Sequence, residues 1–358
     1  MQQFAKIIGT GKYIPERLII NNDFLEKKFF DDTGQGFQKT NQEIINDLIK
    51  ITGIQERRYA RENQLNSEIA FLAAENALIS STLDPESLDC IIVAHNFGDV
   101  AKGNTQSVLV PSISAKVKQL LGIINPSTVA FDILFGCPGW LQGIILADSL
   151  IKNEAKRIMV IGAETLSRIY DPHDRDSMIY ADGAGATILE RTQCETPTGI
   201  LACVARSDTK EHAQLLCMGP SYGPMHNNAL YLKMNGAAVY EYALKYVPIA
   251  VKECLEKANI SLEQVKKILI HQANEKMDEK ILRGLFELYG KKRKDIPADI
   301  MPMTIGQLGN SSVATIPTLL DLILKKELPG HEVASGDILL FASVGAGMNI
   351  NAMVYKMP

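Results

Sequence analysis

The chain carries one pattern twice, first as Leu83-Asp84-Pro85-Glu86-Ser87-Leu88-Asp89-Cys90-Ile91-Ile92-Val93 and, 177 residues later, as Ile260-Ser261-Leu262-Glu263-Gln264-Val265-Lys266-Lys267-Ile268-Leu269-Ile270. In each copy a polar residue that can cap a helix opens a short turn, and an apolar strand follows. Repetition of this kind indicates that one structural unit occurs twice in the chain.

A second pair of segments keeps nearly the same spacing. Gly136-Cys137-Pro138 and Gly309-Asn310-Ser311 lie 173 residues apart, and each opens a predicted helix that leads to an apolar strand. A chance match of short apolar patterns would explain either pair alone. The common order and the nearly equal offset favour an internal duplication, in which a pseudo-twofold axis relates the two halves.

Apolar, β-branched runs alternate with amphipathic helical stretches along the chain, as is typical of α/β proteins. Four runs are apolar on both faces, as buried strands are, and they span residues 91–94, 157–161, 268–270 and 338–341. The predicted helices span residues 67–80, 141–152, 236–258 (with a kink at Pro248), 275–289 and 313–326. A polar stretch at residues 191–199 marks the boundary, so we expect halves of residues 1–190 and 191–358.

The composition excludes several classes of protein. Of 358 residues, 46% are apolar and 22% are charged, which is typical of a folded globular protein. The net charge of −4 argues against a general nucleic-acid binder, which needs a basic surface to collect phosphates. No run of about 18 apolar residues could span a bilayer.

The N-terminus and the cysteines indicate a soluble protein of the cytoplasm. The opening residues Met1-Gln2-Gln3-Phe4-Ala5-Lys6 do not resemble a signal peptide. The six cysteines form no CxxC pair, so we expect reduced thiols and no zinc or other metal site.

Three polar residues are candidates for a shared site. Cys137 and Asn310 lie at equivalent helix starts, and His271 directly follows a strand. Ligands of α/β sheets gather at the carboxyl ends of strands, so the three could converge on one buried pocket. A thiol at a helix N-terminus has a lowered pKa and is activated as a nucleophile. Each residue also has an ordinary alternative: an inert buried thiol, a structural imidazole or a helix cap.

The glycine-rich segments do not indicate a nucleotide cofactor. Asp182-Gly183-Ala184-Gly185-Ala186 and Gly345-Ala346-Gly347 do not complete GxGxxG, and both precede strand-like runs rather than helices. We therefore expect neither NAD nor ATP.

The ordered set of motifs resembles the β-ketoacyl-acyl-carrier-protein synthase III family of the thiolase-like fold over nearly the whole chain. The segments that carry the resemblance are Ile7-Ile8-Gly9-Thr10-Gly11, Thr52-Gly53-Ile54-Gln55-Glu56-Arg57, Phe131-Asp132 through Cys137 to Gly139, Tyr180 to Ala186, His271-Gln272-Ala273-Asn274, Gly309-Asn310-Ser311-Ser312 and Gly345-Ala346-Gly347. The resemblance implies two related halves in a layered α-β-α-β-α core, and a homodimer.

The resemblance also implies a reaction without a metal or an organic cofactor. Cys137 would take an acyl group from acyl-CoA or an acyl-carrier protein. His271 and Asn310 would then donate hydrogen bonds to the thioester carbonyl of malonyl-acyl-carrier protein while CO₂ departs. The backbone N–H groups of Cys137 and Ala346 would form the oxyanion hole.

Two departures from the family pattern concern the substrates. The stretch Asp47 to Thr52 lacks the Trp and Arg with which CoA-binding members grip the nucleotide, and only Lys50 could help. Val110 matches a position that reaches the partner's acyl pocket, where a small side chain would suit a longer or branched acyl chain; simple loop drift is the alternative.

A basic cluster could dock an acidic carrier protein, although such runs are usually only solvated surface. Its residues are Lys276, Arg283, Lys291, Lys292, Arg293 and Lys294. Alternatives to fatty-acid initiation are a secondary-metabolite enzyme that joins two acyl units or transfers acyl groups to oxygen or nitrogen, and a non-catalytic subunit that binds carrier proteins.

Overall fold

The computed structural model describes residues 2–104, 106–224 and 228–358. The elements of its first half, in chain order, are β1 (Gln2–Tyr13), β2 (Arg17–Ile20), α1 (Asn41–Thr52), β3 (Glu56–Tyr59), α2 (Asn66–Ser81), β4 (Cys90–Ala94), α3 (Ile113–Leu120), β5 (Val129–Ile133), α4 (Gly139–Asn153), β6 (Arg157–Thr165) and β7 (Asp182–Cys194). The elements of its second half are β8 (Gly199–Ser207), α5 (Thr209–His212), β9 (Leu216–Gly219), β10 (Tyr231–Met234), α6 (Gly236–Ala258), β11 (Val265–Ile270), α7 (Glu275–Glu287), α8 (Ile305–Leu308), α9 (Thr315–Leu324), β12 (Ile338–Gly345) and β13 (Asn349–Lys356).

The two main sheets repeat one topology, which confirms the duplication. The first has the strand order β1-β7-β6-β4-β5 and the second β8-β13-β12-β11. In the first, β1 and β6 are antiparallel to β7, and β4 is parallel to β6. In the second, β8 and β12 are antiparallel to β13, and β11 is parallel to β12. The repeated segments of the sequence thus become the equivalent strands β4 and β11. The division at residues 190 and 191 stays a prediction; β7 continues to Cys194.

The sheets and helices stack in the expected α-β-α-β-α order. Helices α2 and α3 pack on the outer face of the first sheet, and α6 and α7 on the outer face of the second. Helices α4 and α9 lie between the sheets. Both faces of a central strand are therefore buried: Ile91 and Val93 contact the outer helices, and Ile92 contacts the middle layer. This burial explains the uninterrupted apolar runs.

The predicted helices form with small shifts at their ends. α6 continues through Pro248, and the proline ring lies close to Gly284 of α7. The last predicted helix, 313–326, becomes a 3₁₀ turn at Ser312–Ala314 followed by α9. Ser312 has a φ of +52°, a left-handed conformation that does not belong to an α-helix, so the regular helix begins only after it.

Two smaller two-stranded sheets accompany the main sheets. β2 pairs with β3, and β9 pairs with β10 to form a hairpin. Buried Lys233 of that hairpin makes ion pairs with Asp171 and Asp174 and thereby fastens the hairpin to the loop that precedes β7. Within the described ranges, no helix is long and apolar enough to cross a membrane.

Candidate active site

A cavity of about 810 Å³ is lined by residues of both halves. Cys137 reaches it from the first half, and His271, Asn310 and Ala346 reach it from the second. The structure thus brings together the three candidates that lie far apart in the sequence, and also the predicted oxyanion-hole residue. The remaining wall is largely apolar and comes from α1, the β9–β10 hairpin and the first turns of α6 and α7.

A tight turn between β5 and α4 presents Cys137 to the cavity. Gly136 has a φ of +67°, and a Cβ atom there would lie 2.7 Å from the Ala346 nitrogen. On the other side, a Cβ atom on Gly345 would lie 2.6 Å from the Cys137 nitrogen. Glycine is required at both positions because the two backbones touch. The backbone N–H groups assigned to the oxyanion hole therefore lie on neighbouring segments.

The pKa of Cys137 differs from the sequence-based expectation. The residue precedes the first residue of α4, Gly139, by two positions, as expected of a thiol at a helix start. Burial nevertheless raises the pKa of the thiol to about 11; a hydrogen bond from Ser312 lowers it in part, and the Glu164 charge raises it further. The predicted lowering of the pKa is wrong, because burial of the thiol outweighs the hydrogen bonds that favour the thiolate. The resting thiol is protonated at neutral pH, so thiolate formation requires a base.

His271 is neutral at pH 7 and hydrogen-bonded on one side of its ring. Burial lowers the pKa of the imidazole to about 4. Its Nδ1 lies 2.7 Å from Thr315 Oγ1, and that hydroxyl donates its hydrogen to the Ser312 carbonyl at 3.0 Å. Since the Thr315 hydrogen is used, Nδ1 carries the imidazole hydrogen and Nε2 is unprotonated. This tautomer offers Nε2 as an acceptor for the thiol proton.

Asn310 is oriented by the residues around it. Its Oδ1 accepts the Ser312 N–H at 2.8 Å, which leaves the two hydrogens of Nδ2 as donors. Its backbone pairs with the segment before β7, through the N–H to the Ile179 carbonyl at 2.9 Å and the carbonyl to the Ala181 N–H at 2.8 Å. The first half of the chain thus holds a donor supplied by the second. Asn274 caps α7, since its side chain accepts the Met277 N–H.

Four contributors to the site were missed by the sequence analysis. Ser312 contacts the Cys137 sulfur, and Thr315 contacts His271. Asn96 and Glu164 continue the hydrogen-bond chain behind Ser312. The glycine-asparagine motif could have pointed to Ser312, which is two residues from Asn310. Nothing in the local sequence distinguishes Asn96 or Glu164, because only the fold brings β6 and the loop after β4 to this point.

The other predicted residues lie outside the cavity. Val110 is 87% exposed and is not part of the cavity wall of its own chain. Lys276 and Arg283 are exposed on α7, seven residues apart and therefore on one face. Lys291 is half-buried and pairs with Glu263 at 2.6 Å. The remaining members of the cluster, Lys292, Arg293 and Lys294, are exposed beyond the far end of α7.

The predicted cluster is therefore not compact. α7 rises about 16 Å between Lys276 and Glu287, so Lys276 and the run after the helix lie at opposite ends. Lys276 is the member closest to the cavity, since Asn274 and Met277 on either side of it line the wall. Arg283 makes an exposed ion pair with Glu287 at 3.4 Å, and pairs of this kind contribute little free energy.

Two halves of one topology, with a cysteine, a histidine and an asparagine on a shared cavity, define a condensing enzyme of the thiolase-like class. Comparison with known proteins shows to which family within this class the chain belongs. Residues 131–209 match the model of the 3-oxoacyl-[acyl-carrier-protein (ACP)] synthase III family, and residues 255–357 match the model of its C-terminal region.

Full-length relatives agree with these matches. The chain is 32% identical to β-ketoacyl-[acyl-carrier-protein] synthase III of Caldanaerobacter subterraneus subsp. tengcongensis, over 98% of this chain and 97% of the relative. It is 30% identical to the same enzyme of Ehrlichia ruminantium, over 99% of both chains. The crystal structure of 3-oxoacyl-[acyl-carrier-protein] synthase III from Aquifex aeolicus superposes with a TM-score of 0.78 at 31% identity, over 98% of this chain and 99% of that one. The chain belongs to the 3-oxoacyl-[acyl-carrier-protein] synthase III family.

Proposed function

We propose that the protein catalyses the decarboxylative Claisen condensation that initiates fatty-acid synthesis. It joins an acyl group from acyl-CoA or an acyl-carrier protein to the two-carbon unit of malonyl-acyl-carrier protein. The observation that carries the proposal is the presence of Cys137, His271 and Asn310 on one cavity wall, in a chain that matches named synthases over its whole length.

The first step forms an acyl-enzyme. His271 Nε2 takes the proton of the Cys137 thiol, and the sulfur attacks the carbonyl carbon of the donor thioester. The oxygen of the tetrahedral intermediate accepts hydrogen bonds from the backbone N–H groups of Cys137 and Ala346. The donor C–S bond then breaks, and the departing thiolate takes the proton from His271 Nε2, which restores the neutral imidazole.

The second step forms the carbon–carbon bond. As the anionic malonyl group enters, His271 Nε2 takes up a proton from water. Together with Asn310 Nδ2 it then donates a hydrogen bond to the carbonyl oxygen of the malonyl thioester. Loss of CO₂ leaves an enolate on that thioester, and its carbon attacks the acyl group on Cys137. The C–S bond to Cys137 breaks, and the His271 proton returns to the sulfur. Protons and electrons balance without a metal or an organic cofactor.

The residues at the entrance of the cavity help to decide whether the acyl donor is CoA or a carrier protein. Apolar Ile44, Leu48 and Ile51 of α1 line the entrance where CoA-binding members carry polar and aromatic contacts, while Lys50 is exposed beside them. The face of α7 that carries Lys276 and Arg283 is proposed to dock the acidic carrier protein. The exposed Lys292, Arg293 and Lys294 lie farther from the cavity. Lys291 is half-buried and contributes least to the docking surface.

We also assign the protein to the cytoplasm as a homodimer. Among the described residues, strand β5 has a neighbouring strand on one side only, and Val129 at its start is 58% exposed. Leu134 and Val110 are 59% and 87% exposed, and together they supply apolar surface of the kind that a second copy buries. In such a dimer Val110 would reach the acyl pocket of the partner. The six cysteines are free thiols, which suits a reducing compartment.

Intact-mass spectrometry tests the function. The protein is mixed with acyl-CoA or acyl-carrier thioesters of graded chain length, and then with a malonyl thioester. We expect an adduct that is absent in Cys137→Ala and is converted to a β-ketoacyl product when the malonyl thioester is added. An adduct without that product would favour transfer to oxygen or nitrogen, and the absence of any adduct would favour a non-catalytic carrier-binding subunit.

A further inference from the structure

We propose that Ser312 is a fourth catalytic residue, whose hydroxyl donates a hydrogen bond to the Cys137 sulfur and stabilises the thiolate during acyl transfer. The inference deepens the proposed function and rests on it. It is carried by a half-buried chain of hydrogen bonds, Glu164–Asn96–Ser312–Cys137, that runs from the end of β6 to the sulfur.

The direction of the hydrogen bonds in this chain is determined by its members. Ser312 Oγ lies 3.2 Å from Cys137 Sγ and also 3.2 Å from Asn96 Nδ2. An amide nitrogen can only donate, so Ser312 Oγ accepts from Asn96. The single hydrogen of the hydroxyl is then free to point at the sulfur, where it favours the charged form.

Asn96 is held in this orientation by Glu164. One carboxylate oxygen accepts the Asn96 backbone N–H at 2.9 Å and its Nδ2 at 2.6 Å. Glu164 is 1% exposed, and this burial raises the pKa of its carboxyl to about 7. Above that pH, the alternative orientation of the amide would turn its oxygen toward a charged carboxylate and is therefore disfavoured. The carboxylate acts on the sulfur through the orientation of Asn96, while its own charge opposes the thiolate.

The backbone of Ser312 supports a functional assignment. The residue is 4% exposed and has a φ of +52°, which side chains other than glycine rarely adopt. Strained conformations of this kind persist where the surrounding structure demands them, often at active sites. Here the conformation lets one residue serve the whole site. Its N–H orients Asn310 at 2.8 Å, and its carbonyl accepts the Thr315 hydroxyl that contacts His271.

The chemistry of the first step explains the need for this donor. The Cys137 proton moves to His271 Nε2, the sulfur forms its bond to the acyl carbon, and the donor thiolate leaves with the electron pair of the broken bond. Ser312 keeps its own proton throughout and acts only as a hydrogen-bond donor. A thiol in a buried site ionises poorly, so a direct donor to sulfur lowers the barrier of the step that forms the nucleophile.

The test compares Ser312→Gly and Ser312→Ala with Ser311→Gly. Glycine removes the hydroxyl and tolerates the left-handed backbone, whereas alanine removes the hydroxyl and keeps the strain. Ser311 is buried next to Ser312 and does not line the cavity, so its replacement by glycine controls for a loosened loop. Circular dichroism and thermal unfolding check that each variant folds.

The readout is the rate at which iodoacetamide alkylates Cys137, followed by peptide mass spectrometry between pH 6.5 and 9.5. Loss of a hydrogen bond to a charged group predicts that both Ser312 variants react about ten- to hundredfold more slowly, while Ser311→Gly stays within about twofold of the parent protein. Hindered access cannot explain slower alkylation of Ser312→Gly, because glycine opens space beside the sulfur.

Two results would overturn the proposal: alkylation of Ser312→Gly at the parental rate, or slowing in Ser312→Ala alone, which would mean that only the backbone matters. In parallel, single-turnover acylation should slow by the same factor as alkylation. If the hydroxyl governs alkylation but no thioester acylates the parent protein, the proposed condensing function fails while the contact to the sulfur stands.

Discussion

Asp278 of α7 makes the stability of the protein depend on pH. The residue is 0% exposed on the core-facing side of α7, between Met277 and the buried Ile281 and Leu282. Neither of its carboxyl oxygens makes a hydrogen bond of normal geometry in the described part of the chain, and a weak contact with the Asn274 backbone offsets the burial only in part. Burial raises the pKa of this carboxyl well above its usual range. The folded protein therefore holds a proton on Asp278 at pH values where the unfolded chain has lost it.

The sign and size of the effect follow from proton linkage. Because the folded pKa is raised, the contribution of Asp278 to stability is fully present below its unfolded pKa of about 3.9. It is lost as pH rises from there through the folded pKa, at about 1.4 kcal/mol per pH unit. Asp278→Asn has nearly the same shape and cannot ionise. Its free energy of unfolding should match that of the parent protein near pH 4 and exceed it increasingly at higher pH.

Urea unfolding from pH 4 to 8 measures this difference. Glu279→Gln removes the same unit of charge from an exposed position on the next residue and controls for net charge. The pH at which the parent and Asp278→Asn curves cease to diverge reports the folded pKa. Parallel curves for the two proteins across the whole range would contradict a raised pKa, since they would mean that Asp278 is ionised in the folded state and has a partner.

Two further predictions concern the site and its carrier. Thr315→Val removes the acceptor that keeps the hydrogen on His271 Nδ1, so acylation of Cys137 should slow about tenfold and its pH profile should change. Thr315→Ser keeps the acceptor and should restore both the rate and the profile. Single-turnover acylation between pH 6 and 9 measures both, and an unchanged profile in the valine variant would contradict the tautomer assignment. Replacing Lys276 and Arg283 by Glu should raise KM for the carrier thioester several-fold but leave KM for a pantetheine mimic unchanged, because only the acidic carrier is attracted by the positive charges. Steady-state kinetics measure both values. If the variant and the parent protein have the same KM for the carrier thioester, this face of α7 does not dock the carrier.

The pKa values of the site show how far local sequence reasoning reaches. The position of Cys137 at a helix start could be read from its glycine and proline neighbours, and so could the expectation of a lowered pKa. In the folded protein the shift has the opposite sign, because the burial of the thiol and the Glu164 charge outweigh the hydrogen bond from Ser312. These contributors come from segments that are distant in sequence, so no local pattern contains them.

The site also shows why the two halves must act together. The first half supplies the sulfur and the segment at Ile179 and Ala181 that holds Asn310. The second supplies the imidazole, the amide and Ser312. A variant in either half can therefore disturb a group contributed by the other, and measured effects at these positions will not add independently.

The α/β class, the duplicated topology and the candidate trio Cys137, His271 and Asn310 could all be predicted from sequence patterns. Apolar runs, helix periodicity and turn residues are local properties, and an internal repeat leaves its order and offset in the chain. The protonation of His271, the pKa shift of Cys137, the contact of Ser312 with the sulfur and the dispersal of the basic cluster along α7 became visible only in the folded protein. Each of these depends on burial or on distances between atoms far apart in sequence, and those quantities exist only once the chain has folded.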